Sequence, residues 1–271
     1  MQIAFSGKLG SGKSTVCAIL REKYGYEIYS TGTVQRKVAE EMGIDTLELN
    51  KRMKEDPKLD HIIDDAVVKL SRERAGDKIV YDSRMAWHFA ENTFKVYMYV
   101  DPSVAGKRVF TADRGNVEAY KSVEEAKEKL IARSKEENQR FKDIYGVDNF
   151  DYNNYDLIID STSATPEQIA EMIVYQADEY EKKAFEYTKV ILSPYVIFPT
   201  KPFGTDDGET IEIAVKDGYH FALSGHNKLT LLQQGMANFI ETRLGNRDPV
   251  YNKEIVAQYE SAGSFQYQSK L

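Results

Sequence analysis

The chain has little cysteine, little proline and no long apolar segment. Its 271 residues include 1 Cys and 7 Pro. The single thiol, Cys17, cannot form an intramolecular disulfide, which excludes a disulfide framework and favours a reducing compartment. No apolar run approaches the roughly 18 residues that a membrane helix needs, and Met1 leads directly into a short apolar run without a signal-peptide pattern. We therefore expect a cytoplasmic protein with no membrane partner.

Positive charge is not in excess either. The chain carries 36 Lys and Arg against 43 Asp and Glu, a formal net charge of −7. This balance argues against an extended electrostatic contact with nucleic acid, so any polyanion must meet a local patch. The 42% of hydrophobic residues suffice for a packed core. The length exceeds that of one typical domain of about 100–200 residues, which suggests a second, smaller unit.

Short β-prone runs alternate with helix-length polar segments in the first part of the chain. They occupy residues 3–5, 27–29, 78–82, 94–100 and 155–160. Strands that alternate with helices form parallel sheets covered by helices on both faces. We therefore predict an α/β fold of three layers around a five-stranded parallel sheet.

The pattern changes after a last helix of this region. Thr165-Pro166-Glu167-Gln168 combines a capping residue, a proline in the first turn and a glutamine three residues after the cap, which together mark a helix start. From about residue 190, short extended pieces are broken by Pro, Gly and Asp-Gly. We place a boundary near 183–190, with one domain over 1–185 and a small α+β domain over 190–271.

A phosphate-binding motif follows the first predicted strand. Gly7-Lys8-Leu9-Gly10-Ser11-Gly12-Lys13-Ser14 fits G-x-x-x-x-G-K-[ST], between a predicted strand and a predicted helix. In such a P-loop, backbone N–H groups surround the phosphates, the lysine reaches the β and γ oxygens and the hydroxyl ligates Mg²⁺. The sequence thus predicts ATP and Mg²⁺ as cofactors, with nucleotide-binding residues Gly7, Gly10, Ser11, Gly12, Lys13, Ser14 and Thr15.

A carboxylate stands where a second magnesium-directed group is expected. Asp82 ends the apolar run Ile79-Val80-Tyr81, which places it at the carboxyl edge of a strand, where open α/β sheets bind ligands. We predict Ser14 and Asp82 as the metal-directed pair. The sequence shows no Asn-Lys-x-Asp segment that would read guanine, which lowers the case for a GTPase.

Several arginines are spaced as phosphoryl transfer requires, because positioned cations supply most of the catalysis in that reaction. Arg36 begins a helix after Ser30-Thr31-Gly32, and Arg84 follows Asp82. Arg133, Glu137 and Arg140 recur at i, i+4 and i+7 within a densely charged segment, so they share one helix face. Arg114 begins the segment over 111–145 that we predict to be a lid.

These residues together resemble the cytidylate kinases, especially their compact archaeal branch, over about residues 2–180. The matching features besides the P-loop are Ser30-Thr31-Gly32 with Arg36, Asp56-Pro57-Lys58-Leu59-Asp60, Asp82-Ser83-Arg84-Met85-Ala86, Arg133-x-x-x-Glu137-x-x-Arg140, Tyr145-Gly146-Val147-Asp148 and Tyr155-Asp156-Leu157-Ile158-Ile159-Asp160.

The resemblance implies transfer of the ATP γ-phosphoryl group to CMP or dCMP. It implies that Arg36, Arg84 and Arg140 hold the acceptor phosphate or the transferring group, and that Arg133 with Glu137 serves the lid and the cytosine end. The implied catalytic residues are Lys13, Arg84, Arg133 and Arg140. Arg114 is implied in cofactor binding, and the implied acceptor-binding residues are Ser30, Gly32, Arg36, Arg84, Glu137 and Arg140.

The last 80 or so residues need a separate interpretation. An extended pair near 210–223 precedes Ser224-Gly225-His226-Asn227-Lys228, with helices predicted over 227–243 and 251–259. This order resembles the ParB/sulfiredoxin-like fold, in which a similar turn at a helix start meets nucleotide phosphate. The resemblance makes Gly225, His226, Asn227 and Lys228 a candidate anion site; an ordinary strand-to-helix turn is the alternative. The ligand of this module is either a second small molecule or a protein partner.

Two other functions remain open at this stage. The first is a P-loop phosphotransferase that acts on a modified nucleotide or on nucleic acid, with the C-terminal module presenting the substrate. The second is a nucleotide-sensing regulator whose C-terminal module carries the output. Salt-dependent DNA binding would favour the first alternative, and slow turnover despite tight nucleotide binding would favour the second.

Overall fold

A computed structural model describes residues 1–45, 48–49, 52, 60–111, 120–263 and 265–271. In the first part of the chain, five strands form the central sheet: β1 (Ile3–Gly7), β2 (Glu27–Ser30), β3 (Ile79–Asp82), β4 (Phe94–Tyr99) and β5 (Leu157–Asp160). They are all parallel, in the spatial order β2-β3-β1-β4-β5. The α/β fold with a parallel sheet is thus confirmed.

Helices cover both faces of this sheet. Between the strands of the first part lie α1 (Lys13–Tyr24), α2 (Thr31–Glu41), α3 (Asp60–Glu73), α4 (Ala86–Phe89), α5 (Pro102–Thr111), α6 (Val123–Tyr145) and, after β5, α7 (Pro166–Lys182). Helix α7 begins with the expected capping box, because Thr165 and Gln168 bond each other's backbone N–H groups. None of the helices among the described residues combines the length and apolarity that crossing a bilayer requires.

Alternation along the strands divides the core between the two faces. Phe5 and Met98 pack with residues of α1 and α7 on one face. Ala4 and Tyr97 pack on the other, with residues of α2, α3 and the C-terminal part of the chain. Strands buried on both faces are typical of parallel sheets between helical layers, and they explain the nearly continuous apolar runs in the sequence.

The C-terminal residues continue the same sheet. The remaining elements are β6 (Lys189–Leu192), β7 (Ile197–Phe198), β8 (Glu212–Lys216), β9 (Tyr219–Ala222), α8 (His226–Gln234), β10 (Ile240–Leu244) and α9 (Lys253–Gly263), with short 3-10 turns at Tyr152–Asn154 and Pro194–Val196. Strand β6 pairs parallel to β5 and antiparallel to β10, and the order continues β10-β8-β9-β7. The division into two domains therefore stays a prediction.

One predicted helix of the C-terminal part is wrong in its second half. The expected helix over 227–243 ends at Gln234, and residues 240–244 form β10. Gly235 caps the helix, and Met236 takes a left-handed backbone with φ 53°. Ile240 and Thr242 are buried while Glu241 and Arg243 are exposed, which is the alternation of a strand and not of a helix.

Candidate active site

The P-loop joins β1 to α1 and owes its shape to its glycines. Gly10 and Gly12 have left-handed backbones, with φ 78° and 88°. A Cβ on Gly7 would lie 2.7 Å from the Met98 carbonyl oxygen, and one on Gly10 would lie 2.9 Å from the Ala105 Cβ. The loop thus needs glycine for conformation at Gly12, for space at Gly7 and for both at Gly10.

The P-loop lysine lies at the sheet edge together with the predicted carboxylate. Lys13 is the first residue of α1 and pairs with Asp82 at the end of β3. Burial lowers the pKa of Lys13. Asp82 is the register partner of Ser30 on β2 and of Phe5 on β1, so the carboxyl ends of β2 and β3 lie side by side next to β1. Ser14, Thr15 and buried Ser11 complete the loop's predicted nucleotide-binding residues.

The residues present fit a magnesium ion that is bound mainly through nucleotide and water. A serine hydroxyl and an aspartate carboxylate are hard oxygen donors, the type that Mg²⁺ prefers. In the described part of the chain, no cluster of three or more His, Cys, Asp or Glu is arranged to hold a metal. A protein site with few ligands is what Mg²⁺ needs when phosphate oxygens and water supply the remaining ones.

The acceptor residues predicted on β2 and α2 are arranged by a helix cap. The Ser30 side chain caps α2 by accepting a bond from the Thr33 N–H at 3.2 Å. Gly32 lies in the first turn, and a Cβ there would meet nothing closer than the Arg36 guanidinium at 3.8 Å. Arg36 is exposed and donates to the Thr33 hydroxyl at 3.2 Å. The cap therefore fixes the turn from which Arg36 projects.

The charged helix α6 reaches across to the end of β3. Glu137 pairs with Arg84 and accepts a bond from the Arg133 Nε at 3.1 Å. Burial is the largest cause that lowers the pKa of Arg84, and Arg133 adds to it. Arg140 is exposed on the same helix. The structure thus brings Arg84, Glu137 and Arg133 together, whereas Arg114, the other predicted lid arginine, lies outside the described residues.

Two residues that the sequence did not single out hold the P-loop in place. Arg108, on α5, donates to the Ser11 carbonyl at 3.3 Å and to the Ser161 carbonyl at 2.6 Å. The Ser161 hydroxyl donates to the same Ser11 carbonyl at 2.9 Å. These contacts join residues 53 to 150 positions apart in the chain. No local spacing marks them, so only the folded structure could reveal them.

The candidate anion site of the C-terminal part meets a carboxylate of the same chain. The N–H of His226, at the start of α8, donates to Asp207 Oδ1 at 2.8 Å, and its Nδ1 lies 2.9 Å from Asp207 Oδ2. Nε2 accepts from the Thr200 N–H at 3.1 Å, which places the ring proton on Nδ1. Asn227 and Lys228 are exposed beyond Gly225. An external anion here would have to displace Asp207, so the anion site stays a prediction.

Fold and site together define a P-loop nucleotide-binding protein with a kinase-type α/β core. The glycine-shaped loop, the Lys13–Asp82 pair and the arginine-bearing helix opposite them are its distinguishing features. The chain belongs to the cytidylate kinase-like family, whose family model matches residues 2–163. The expected family is thereby confirmed for the first part of the chain.

Two relatives and one solved structure are similar to parts of this chain. A cytidylate kinase from Natronomonas pharaonis is 36% identical over 182 residues, which cover 66% of this chain and 91% of that one. An S-adenosylmethionine-dependent nucleotide dehydratase from Lacinutrix mariniflava is 33% identical over 184 residues, 67% of this chain but 36% of that protein. The solved shikimate kinase of Bacteroides thetaiotaomicron is similar over 67% of this chain and 98% of its own, at 15% identity and a TM-score of 0.43.

Proposed function

We propose that the chain transfers the γ-phosphoryl group of ATP to CMP or dCMP. The observation that carries the proposal is the convergence of Lys13, Asp82 and Arg84 at one sheet edge, with Glu137 of α6 in contact with Arg84. Relatives named cytidylate kinase, such as that of Natronomonas pharaonis, support the choice of acceptor. The reaction needs little covalent help from the protein, because positioning and charge neutralisation supply most of the rate.

Each charged residue then has a separate task. Lys13 neutralises the β and γ oxygens of ATP, and the P-loop N–H groups hold them. Ser14 and Asp82 would hold Mg²⁺ on the protein side, and the ion would supply further neutralisation of phosphate charge. Arg36 and Arg84 bind the acceptor phosphate. Glu137 orients Arg84 and Arg133, and exposed Arg140 on the same helix meets the transferring group.

The test is an ADP-release assay with Mg·ATP and a panel of CMP, dCMP, UMP, dUMP, TMP, AMP and GMP on the full chain. We expect selective turnover of CMP or dCMP. Lys13→Ala should lower turnover by roughly 10²–10³ or more while leaving the fold intact, because it removes a preorganised cation. Arg36→Ala should weaken the acceptor more than ATP. Near-normal turnover of Lys13→Ala, or an equal loss of both ligands in Arg36→Ala, would contradict this assignment.

A second candidate is a nucleotide-binding module that serves another reaction. The match to a nucleotide dehydratase favours it, since the matched segment is 36% of that protein. Tight binding of Mg·ATP without turnover of any monophosphate in the panel would select this candidate. Turnover of CMP or dCMP at an ordinary enzymatic rate, about 1–10³ per second, would eliminate it.

A further inference from the structure

A large cavity lies between the P-loop, helix α6 and the C-terminal part of the sheet. Its volume is about 710 Å³. Lys8 and Leu9 of the P-loop line one wall, Leu130 and Ile131 of α6 a second, and Val215 before the β8–β9 turn a third. Cavities of about 300–1,000 Å³ bind small organic molecules in other proteins. We call this space the junction cavity.

The junction cavity differs from the proposed phosphoryl-transfer site. Asp82, Arg36 and Arg84 do not line it. Helix α6 presents Glu137 to Arg84 but lines the cavity with residues from Lys127 to Lys135. Val215 and the other C-terminal lining residues lie beyond the 2–163 segment that the family model matches. The cavity is therefore built partly from residues to which that match assigns nothing.

Lys8 gives the P-loop wall of the cavity its positive charge. Its Nζ donates to the Gly218 carbonyl at 3.0 Å and lies 4.1 Å from the centre of the Tyr99 ring. Within the described residues no carboxylate forms an ion pair with this ammonium at 4.0 Å or less. Burial lowers the pKa of Lys8 to about 8, which Asp101 and Asp160 oppose. Lys8 is half-buried, and a partly desolvated cation without a paired anion would be stabilised by a bound anion.

Four aromatic side chains belong to the lining of the junction cavity, which suits a ligand that carries a ring. Tyr97 and Tyr152 are buried beneath the cavity, and Phe150 and Tyr219 also reach it. Aromatic walls hold ring systems by stacking and edge-to-face contacts. Two exposed carboxylates, Asp151 and Asp217, also belong to the lining, and they can accept bonds from hydroxyl or amino groups of a ligand.

We propose that the junction cavity binds a ring-bearing small organic anion, distinct from ATP and from the acceptor, whose anionic group faces Lys8. A nucleotide and a non-nucleotide aromatic acid share this chemistry. Lys8 is part of the P-loop, and its N–H bonds the Met98 carbonyl at 2.9 Å. Binding of the anion should therefore change the affinity for Mg·ADP, and Mg·ADP should change the affinity for the anion by the same factor.

Two fluorescent probes with the same rings test the proposal on the full chain with saturating Mg·ADP. One is the anionic 8-anilinonaphthalene-1-sulfonate, and the other is the neutral N-phenyl-1-naphthylamine. We expect one binding site for the sulfonate. Lys8→Met should weaken the sulfonate about tenfold and leave the neutral probe unchanged, because it removes charge but retains the apolar stem. Equal effects on both probes would overturn the anion specificity.

Cavity-filling variants test the location. Val215→Trp should weaken both probes at least about tenfold, while Val250→Trp, a matched change outside the lining at a side chain that is 75% exposed, should weaken neither. Ile131→Trp fills the cavity from the opposite wall and serves if Val215→Trp lowers the melting temperature. Unchanged sulfonate binding in both filled variants would overturn the proposal.

Competition then identifies the ligand class. Displacement of the sulfonate by nucleoside mono-, di- or triphosphates would indicate a nucleotide, and displacement by aromatic carboxylic acids alone would indicate a non-nucleotide anion. Displacement by neither, at concentrations that saturate the P-loop, would overturn the proposal. The result is independent of the proposed function, since a chain inactive toward CMP can still bind the sulfonate at this site.

Discussion

Arg108 ties the P-loop to the end of β5. Its guanidinium bonds the carbonyl oxygens of Ser11 and Ser161, and burial lowers its pKa. We expect Arg108→Ala to weaken Mg·ADP about tenfold and CMP far less, since hydrogen bonds to a charged group each contribute about 1.5–3 kcal/mol. Equilibrium dialysis with each nucleotide measures both affinities. An unchanged Mg·ADP affinity with a lower melting temperature would reduce Arg108 to a structural role.

His220 should make stability depend on pH. It is fully buried, its Nε2 lies 2.9 Å from the Tyr152 hydroxyl, and burial, with a contribution from Lys8, lowers its pKa to about 3. In the unfolded chain, the histidine side chain has its ordinary pKa of about 6.5. Between pH 6.5 and 3 the unfolded state thus holds more protons, so the free energy of unfolding falls with decreasing pH, by up to about 1.4 kcal/mol per unit.

Urea unfolding at pH 7.0, 6.0 and 5.0 measures this slope. His226 has a lowered pKa as well, caused mainly by burial, and it contributes in the same direction. His220→Gln should flatten the slope and His226→Gln should flatten it further, whatever each variant does to stability at pH 7.0. If the wild-type slope persists in His220→Gln, the titrating group lies elsewhere.

Single residues show where sequence reasoning reaches its limit. The P-loop glycines and Lys13 follow from a local motif, because backbone geometry and phosphate binding constrain neighbouring positions. The sequence singles out Arg84 and Glu137 as separate site residues, but the contact between them does not follow from it. Arg108 could not be predicted, because Lys107-Arg108 looks like the polar side of any helix. Its role depends on contacts that exist only after the sheet has formed.

At the scale of elements, helices α5 and α6 approach each other closely at one glycine. A Cβ on Gly106 would lie 2.9 Å from the Lys127 Cβ and 3.0 Å from the Val123 carbonyl oxygen. Since backbone atoms cannot retreat cheaply, Gly106→Ala should push α6 away and destabilise the fold by about 1–3 kcal/mol. Lys107→Ala, exposed on the same helix, is the control. Denaturant unfolding distinguishes them, and a Gly106→Ala variant as stable as this control would contradict the close packing.

Element boundaries were predictable where local signals were strong. The helix start at Thr165 and the strand at 79–82 agree with their patterns to within a residue or so. The predicted helix over 227–243 is wrong after Gln234, because Leu231, Leu232 and the apolar residues near Ile240 fit a continuous helical period. The left-handed turn at Met236 interrupts that period, and a left-handed methionine has no sequence signature.

At the scale of the whole molecule, one sheet runs from the nucleotide site into the C-terminal residues. Strand β5 is buried along its full length and pairs with β6, which in turn pairs with β10. Composition and turn residues indicated a change of character near residue 190 but carried no information about which strands would pair. Strand pairing between distant segments depends on register and on the faces to be buried, neither of which is local.

The continuous sheet predicts that residues 1–185 will not behave as an independent unit. Removing residues 186–271 leaves β5 as an open edge. It also removes C-terminal residues that pack in the same cluster as Ile158 on one face and as Ile159 on the other, and exposed apolar edges promote aggregation. We expect the truncated chain to aggregate or to melt at least about 10 °C below the full chain, which corresponds to roughly 3–5 kcal/mol for a chain of this size. Thermal unfolding at several protein concentrations measures this, with Ile191→Ala, buried in β6, and Val250→Ala, exposed, as the graded pair within the full chain. A truncated chain that melts cooperatively at the same temperature and retains its nucleotide affinity would instead establish the C-terminal residues as a separable domain docked onto a self-sufficient kinase core.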